Sequence, residues 1–238
     1  MADLKYGDLN ALFINTTLTK SPETSHTQTL IDMCGAIMEK QGVSVESFRA
    51  VDYTIAPGVQ PNMRKAGWDD DAWPELWPKV KNADILVLAG PIWLGDNSSE
   101  MKKIIERLYA HSAQVGDDGL PVYYQKVGGA LFTGNEDGLK HCAMNVLYSL
   151  GHIGYTIPPD ADAGWLGEIG PGPSYGDKMD DGSHAGFERN FTNQNTTFLA
   201  WNLMHMAAIL KQHPIPAHGN VPSAWEDGER FGFEPPQA

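Results

Sequence analysis

Only two cysteines, Cys34 and Cys142, occur in the 238 residues, too few for a disulfide framework. Each lies among apolar residues at helical spacing, which predicts a buried, reduced thiol. No apolar run approaches the ~18 residues that a membrane-spanning helix requires, so no membrane partner is expected. Positive charge is scarce: 17 Lys and Arg stand against 30 Asp and Glu, for a net charge of −13. That balance repels a polyphosphate backbone, and no basic stripe reverses it locally, so no nucleic-acid partner is expected. Residues 1–10 are polar and lack the apolar centre of a signal peptide, which points to a cytoplasmic protein. Neither G-x-x-x-x-G-K-S/T nor a strand-linked G-x-G-x-x-G is present, so P-loop and Rossmann dinucleotide sites have no support.

What is present is a chain long enough for one large domain, built of short apolar runs alternating with amphipathic stretches. Ala11–Ile14, Val43–Phe48, Ile85–Ala89 and Val127–Phe132 read as strands, the first and third as runs buried on both faces. Leu30, Ile31, Cys34, Ile37 and Met38 mark a helix closing at Gly42. Met101, Ile104, Ile105 and Leu108 mark a second, and Leu139 to Leu150 a third that ends at Gly151. A short run at Tyr155–Ile157 and a helix over Phe198–Leu210 complete the pattern. Strand and helix in alternation predict a parallel sheet covered on both faces, for which the five-stranded order 2-1-3-4-5 is a right-handed solution. Residues 160–190, rich in Gly and Pro, fit no regular element, and segments of that length are functional, disordered or part of a subunit contact. Residues 214–238 read as an extended tail.

In such a sheet, ligands bind beyond the carboxyl ends of the strands where the strand order reverses. Three loops lie there. Asn15–Thr27 is rich in hydroxyls and enters a helix with Ser25 and Gln28 at capping-box spacing; a helix N-terminus with free N–H groups suits a phosphate. Gly90–Glu100 carries Pro91, Ile92, Trp93 and Leu94 to the rim, an apolar wall suited to a flat heteroaromatic ring, and Asn97 with Glu100 has capping spacing. Thr133–Gly138 has two glycines that let the main chain approach a ligand. Each loop alone has an ordinary reading as cap, core or turn. Three at converging strand ends point to a ligand.

The chain here resembles the NAD(P)H-dependent flavin and quinone reductases of the flavodoxin-like superfamily. The resemblance rests on the Thr/Ser loop before the first helix, on Ala83–Trp93 with its lead-in Trp77–Asn82, on Ser98–Lys102 and on Thr133-Gly134-Asn135; it spans roughly Leu9 to Ile157. It implies a flavodoxin-like three-layer α/β sandwich over residues 1–213, with 160–190 as an insertion and 214–238 as the tail. It also implies FMN as cofactor, with Thr17, Thr19, Ser25, His26 and Thr27 at the phosphate. Pro91, Ile92, Trp93, Leu94 and Gly95 would line the ring, and Thr133, Gly134, Asn135, Glu136 and Gly138 would face its polar edge. NADH or NADPH would be the co-substrate, a quinone or free flavin the small-molecule electron acceptor, and a homo-oligomer (dimer or tetramer) the assembly. The hard chemistry belongs to the cofactor, so no catalytic side chain and no metal site is expected. A flavodoxin-type electron carrier without NAD(P)H turnover is the alternative, and the acidic balance suits it.

Other motifs carry less. Gly172-Pro173-Ser174-Tyr175-Gly176 matches G-x-S-x-G but lacks the strand-to-helix turn that a hydrolase nucleophile needs. Asp69-Asp70-Asp71 reads as a solvated helix start, and His205 as a packed or surface residue.

Overall fold

The computed structural model describes residues 4–170 and 172–236. Its parallel strands are β1 (Asn10–Asn15), β2 (Ser44–Arg49), β3 (Ile85–Trp93), β5 (Val127–Gly134) and β6 (Asp162–Leu166), ordered β2-β1-β3-β5-β6. A two-residue strand, β4 (Asp96–Asn97), turns back antiparallel on β3. Counting only the parallel strands, this is the expected flavodoxin-like order. The fifth strand differs, however, from Tyr155–Ile157, which makes only an isolated bridge between Thr156 and Val127. Asp162–Leu166 pairs with Ala130–Gly134 instead, so regular structure enters the segment that reads as irregular.

Period-two alternation divides the strands between two cores. Leu12, Ile14, Leu86, Leu88, Ala130 and Phe132 face α2 (Trp73–Asn82), α3 (Ser99–Tyr109) and α4 (Leu139–Ile153). Ala11, Phe13, Ile85, Val87, Ala89 and Leu131 face α1 (His26–Glu39) and α5 (Asn190–Gln212). Each fully buried Leu, Ile, Val or Phe among them contributes about 1.5–3 kcal/mol, and both thiols are buried and unpaired. Burial pushes the Cys34 thiol up to about 12 and Cys142 up to about 11, so neither is a nucleophile at neutral pH. The tail is not wholly extended, since Pro222–Glu226 forms a short helix, α6. Ile215 docks on Gln125 through two hydrogen bonds of 2.8 Å.

The acidic triplet is a second correction. Asp71 is fully buried. Its carboxylate accepts from the backbone N–H of Ala56 (3.3 Å), Met63 (2.9 Å) and Trp73 (3.2 Å) and from the Arg107 guanidinium (2.8 Å). Arg107, equally buried, also donates to the Gly58 and Pro61 carbonyls, and burial lowers its pKa. The pair ties the excursion between β2 and α2 onto α3. Asp71→Ala should therefore cost about 3–5 kcal/mol in urea unfolding, because it strands a buried cation.

Beside this pair His111 stacks on Trp77 at 3.6 Å between ring centroids, and its Nε2 accepts from Trp73 Nε1 at 3.0 Å. Burial, with Arg107 nearby, pushes its pKa from 6.5 down to about 4. The unfolded chain thus takes this proton first, and stability falls as pH drops from about 6.5 to about 4, by roughly 3 kcal/mol. Denaturation of His111→Gln across that range should show a pH slope smaller by close to one proton.

Candidate functional site

Register sets the strand ends side by side, with β3 and β5 running past the last residue of β1. Asn15 lies opposite Ala89, Pro91 opposite Thr133 and Gly134 opposite Leu166. Beyond them opens a cleft of about 540 Å³.

The first loop leaves β1 through buried polar residues. Thr16 donates from both N (2.7 Å) and Oγ1 (2.9 Å) to the Ala89 carbonyl, and its own carbonyl accepts from Ser98 Oγ at 2.7 Å. This knot explains Gly90, where a Cβ would sit 2.4 Å from Thr16 Oγ1. Asn15 then folds the loop back. Its Oδ1 accepts from Thr17 N at 3.0 Å, and its Nδ2 donates to Ser25 Oγ at 3.1 Å and Gln28 Oε1 at 3.0 Å. Ser25 is the α1 N-cap, accepting from Gln28 N, as its spacing predicts. On the outside, Arg49 donates to the Thr19 and Glu23 carbonyls, and Asp52 accepts from Ser21 N and Oγ. Those Ser21 hydrogen bonds hold the Asp52 carboxyl below its ordinary range.

Thr17, Thr19, Ser25, His26 and Thr27 all line the cleft, together with Leu18 and Thr24. The N–H groups of His26 and Thr27 are orphan donors by helix geometry, and the first turn of α1 holds no acidic residue. The wall is therefore hydroxyl-rich and free of acidic side chains, at the positive end of a helix.

The second loop is a hairpin. β3 runs on to Trp93, and Trp93 pairs with Asp96. Leu94 (φ 53°) and Gly95 (φ 74°) form the two-residue turn, whose backbone requires positive φ at both positions. Pro91, Ile92 and Trp93 line the cleft, and Trp93 is 54% exposed. Leu94 and Gly95 do not line it: Leu94 is 95% exposed, and its N–H donates to Glu136 Oε1 at 2.7 Å. The α3 N-cap is Ser98, which accepts from Met101 N, rather than Asn97.

In the third loop Thr133, Gly134, Asn135 and Glu136 line the cleft. Thr133 Oγ1 meets Thr27 Oγ1 at 2.8 Å, joining β5 to α1. Gly138 (φ 115°) lies outside the lining, packed against the hairpin turn so closely that a Cβ would stand 2.4 Å from the Gly95 carbonyl.

A fourth wall escaped sequence reasoning. Trp165, at the end of β6, and Ile169, Gly170, Gly172, Ser174 and Tyr175 complete the lining. Residues 172–187 form a strap in which Gly176 N donates to the Ala185 carbonyl and Ala185 N to the Asp177 carbonyl. Tyr175 anchors it, buried between Trp165 (5.7 Å) and Phe187 (5.6 Å). Placing the fifth strand at Asp162–Leu166 would have exposed this loop as a neighbour of the other three. Ser174 sits in no nucleophile turn; its N–H donates to Asp177 Oδ2 at 2.7 Å.

Residues 12–165 match the family model described as NADPH-dependent FMN reductase. The chain is 39% identical to the 8-demethyl-8-aminoriboflavin-5′-phosphate synthase of Streptomyces davaonensis, over 87% of this chain and 80% of that one. It superposes on RosB with bound 8-demethyl-8-formylriboflavin-5′-phosphate at TM-score 0.78 and 35% identity, over 97% of this chain and 91% of that one. It is 60% identical over 92% of its length to a protein of Mycobacterium bovis named divalent metal cation transporter MntH, but spans only 32% of that relative. Among the described residues no helix is long and apolar enough to cross a membrane. At the level of fold alone it resembles an NADH:FMN oxidoreductase, at TM-score 0.55 and 15% identity, covering 92% of this chain and 100% of that one.

The buried Asn15–Ser25 bond should be visible as a coupling. Ser25→Ala alone should cost about 1 kcal/mol through loss of the cap. Combined with Asn15→Ala in urea titrations, it should cost less than the sum of the single changes by at least ~0.5 kcal/mol.

Proposed function

The chain belongs to the NADPH-dependent FMN reductase family, and on that premise we propose that it is an FMN-dependent oxidoreductase that draws electrons from NADH or NADPH and passes them to a quinone or a free flavin. One observation carries this reading: a hydroxyl-lined helix N-terminus and a half-exposed tryptophan open into the same cleft. The cleft volume of about 540 Å³ lies within the roughly 300–1,000 Å³ of small-molecule sites. FMN also has the shape the walls ask for, with an anion at one end and a flat apolar ring at the other.

Thr17, Thr19, Ser25, His26 and Thr27 would hold the phosphate through hydroxyls and the free N–H groups of His26 and Thr27. Pro91, Ile92 and Trp93 would wall the ring, with Leu94 and Gly95 shaping the turn behind Trp93. Thr133 and Gly134 would supply its polar edge, with Asn135 and Glu136 contributing through their main chain because their side chains are engaged elsewhere, and Gly138 keeps the hairpin close to that edge. When bound, FMN supplies two-electron exchange between nicotinamide and acceptor; the protein supplies placement and electrostatics. The Glu136 carboxylate is already engaged by Leu94 N–H, so its work is to fix the Trp93 hairpin. Trp93 and the exposed Leu94 at the mouth favour a homo-oligomer, dimer or tetramer, in which a second subunit borders the site.

A second reading has a specific support. A curated relative and a solved structure, each above 30% identity, are named for riboflavin-5′-phosphate derivatives, the first for making such a compound and the second for a bound intermediate. In that reading the flavin 5′-phosphate is itself the substrate and leaves altered.

Purified protein loaded with FMN, given NADH or NADPH and menadione or riboflavin, should consume the nicotinamide, and the flavin recovered afterwards should keep the mass of FMN. Trp93→Ala should lower kcat/KM roughly tenfold. FMN binding without nicotinamide oxidation would overturn the reductase assignment in favour of a carrier, and recovery of a flavin of changed mass would support the second reading.

A further inference from the structure

The Asn135 side chain is spent on the strap. Its Nδ2 donates to the Pro173 carbonyl at 2.9 Å and to the Gly172 carbonyl at 3.3 Å. Both acceptors belong to the strap that closes the fourth wall of the cleft. A second tether lies a little further along, where His26 Nδ1 bonds the Tyr175 carbonyl at 3.0 Å with the Asp177 carboxylate 3.6 Å away. A carbonyl only accepts, so Nδ1 carries the proton in that bond. The strap is thus tied at once to the loop after β5 and to the first residue of α1.

We propose that Asn135 is a positioning residue that latches the 172–177 strap across the cleft, and that this latch sets how long a flavin phosphate stays bound. The proposal rests on the flavin reading of the cleft and deepens it. Gly172, Ser174 and Tyr175 line the cleft from the strap side, so a flavin seated there would be held along that wall by the strap, and loosening the strap would hasten its release. Tyr175 cannot easily move alone, since it is buried against Trp165 and Phe187. The exposed end at Pro173 can, and Asn135 is what holds that end. Part of the strap's path is dictated by glycine: a Cβ at Gly186 (φ 84°) would fall 2.5 Å from the Tyr175 ring and 2.6 Å from Trp165 Nε1. The strap therefore packs flush on its anchor, and the latch adds the remaining constraint.

Asn135→Asp keeps the shape of the side chain but removes both donated bonds. In ligand-free protein it should speed amide exchange at Ser174 and Gly176 about tenfold, while exchange within β1 and β5 stays unchanged. FMN release, followed by the return of flavin fluorescence in stopped flow, should accelerate by a similar factor with a smaller change in the association rate. Asn135→Ala, which adds no charge, should behave alike. If only the Asp variant responds, repulsion rather than a lost latch is the cause and the proposal fails. Faster strap exchange with unchanged FMN release overturns the role in residence, and unchanged exchange overturns the latch itself. Wild-type protein that binds no FMN would sink the flavin reading and the residence claim with it; the exchange experiment then still decides whether Asn135 holds the strap.

Discussion

The parallel register of β1, β3 and β5 is the constraint on which the rest depends. Because Asn15, Ala89 and Leu131 lie in one row, β1 stops there while β3 and β5 run on to Trp93 and Gly134, and the first loop opens into the space those longer strands border. Backbone groups freed at those strand ends cannot stay unpaired in a buried layer. The chain satisfies them with short polar side chains: Thr16 and Ser98 bond between segments, and Asn15 accepts from Thr17 N and donates to Ser25 within its own loop. That cross-bracing leaves the helix N-terminus and the hydroxyls of Thr17, Ser25 and Thr27 facing the cleft on a rigid support. Preorganisation of this kind is what a cofactor site needs, because the donors bear no reorganisation cost when the ligand arrives.

The electrostatics agree with that arrangement. A chain of net charge −13 is a poor general host for a phosphate, yet no acidic side chain stands in the first turn of α1. Neutral hydroxyls and oriented N–H groups offer an anion short-range bonds without long-range attraction for polyanions such as nucleic acid. The strongly buried ion pair, Asp71 with Arg107, serves elsewhere and fixes the excursion between β2 and α2. That pair is buried with four donors around the Asp71 carboxylate and three acceptors around the Arg107 guanidinium, which offsets much of the cost of burying both charges.

The sheet was legible because Ile85–Ala89 and its partners are apolar on both faces, and only a parallel sheet between helices demands that pattern. The three loops were legible because topology places them. What escaped depended on partners far along the chain. Asp162-Ala163-Gly164-Trp165-Leu166 has little strand character of its own; it becomes β6 by pairing with Ala130–Gly134. Asp71 reads as solvated in its own triplet, since Arg107, 36 residues away, is what buries it. The hairpin after Trp93 was hidden because leucine, not Asn or Asp, takes the first left-handed turn position. Asn135 looked like a ligand contact, yet its nitrogen is turned to carbonyls 37 and 38 residues on.

The central claim is that the end of the cleft at α1 is a phosphate cradle for a flavin. Calorimetric titration of FMN against riboflavin, which differs only by that phosphate, tests it most directly. Charge-assisted bonds to a helix N-terminus and two or more hydroxyls predict that FMN binds at least about 100-fold more tightly. Equal affinity for the two flavins would show that the cradle does not bind phosphate and would contradict the account.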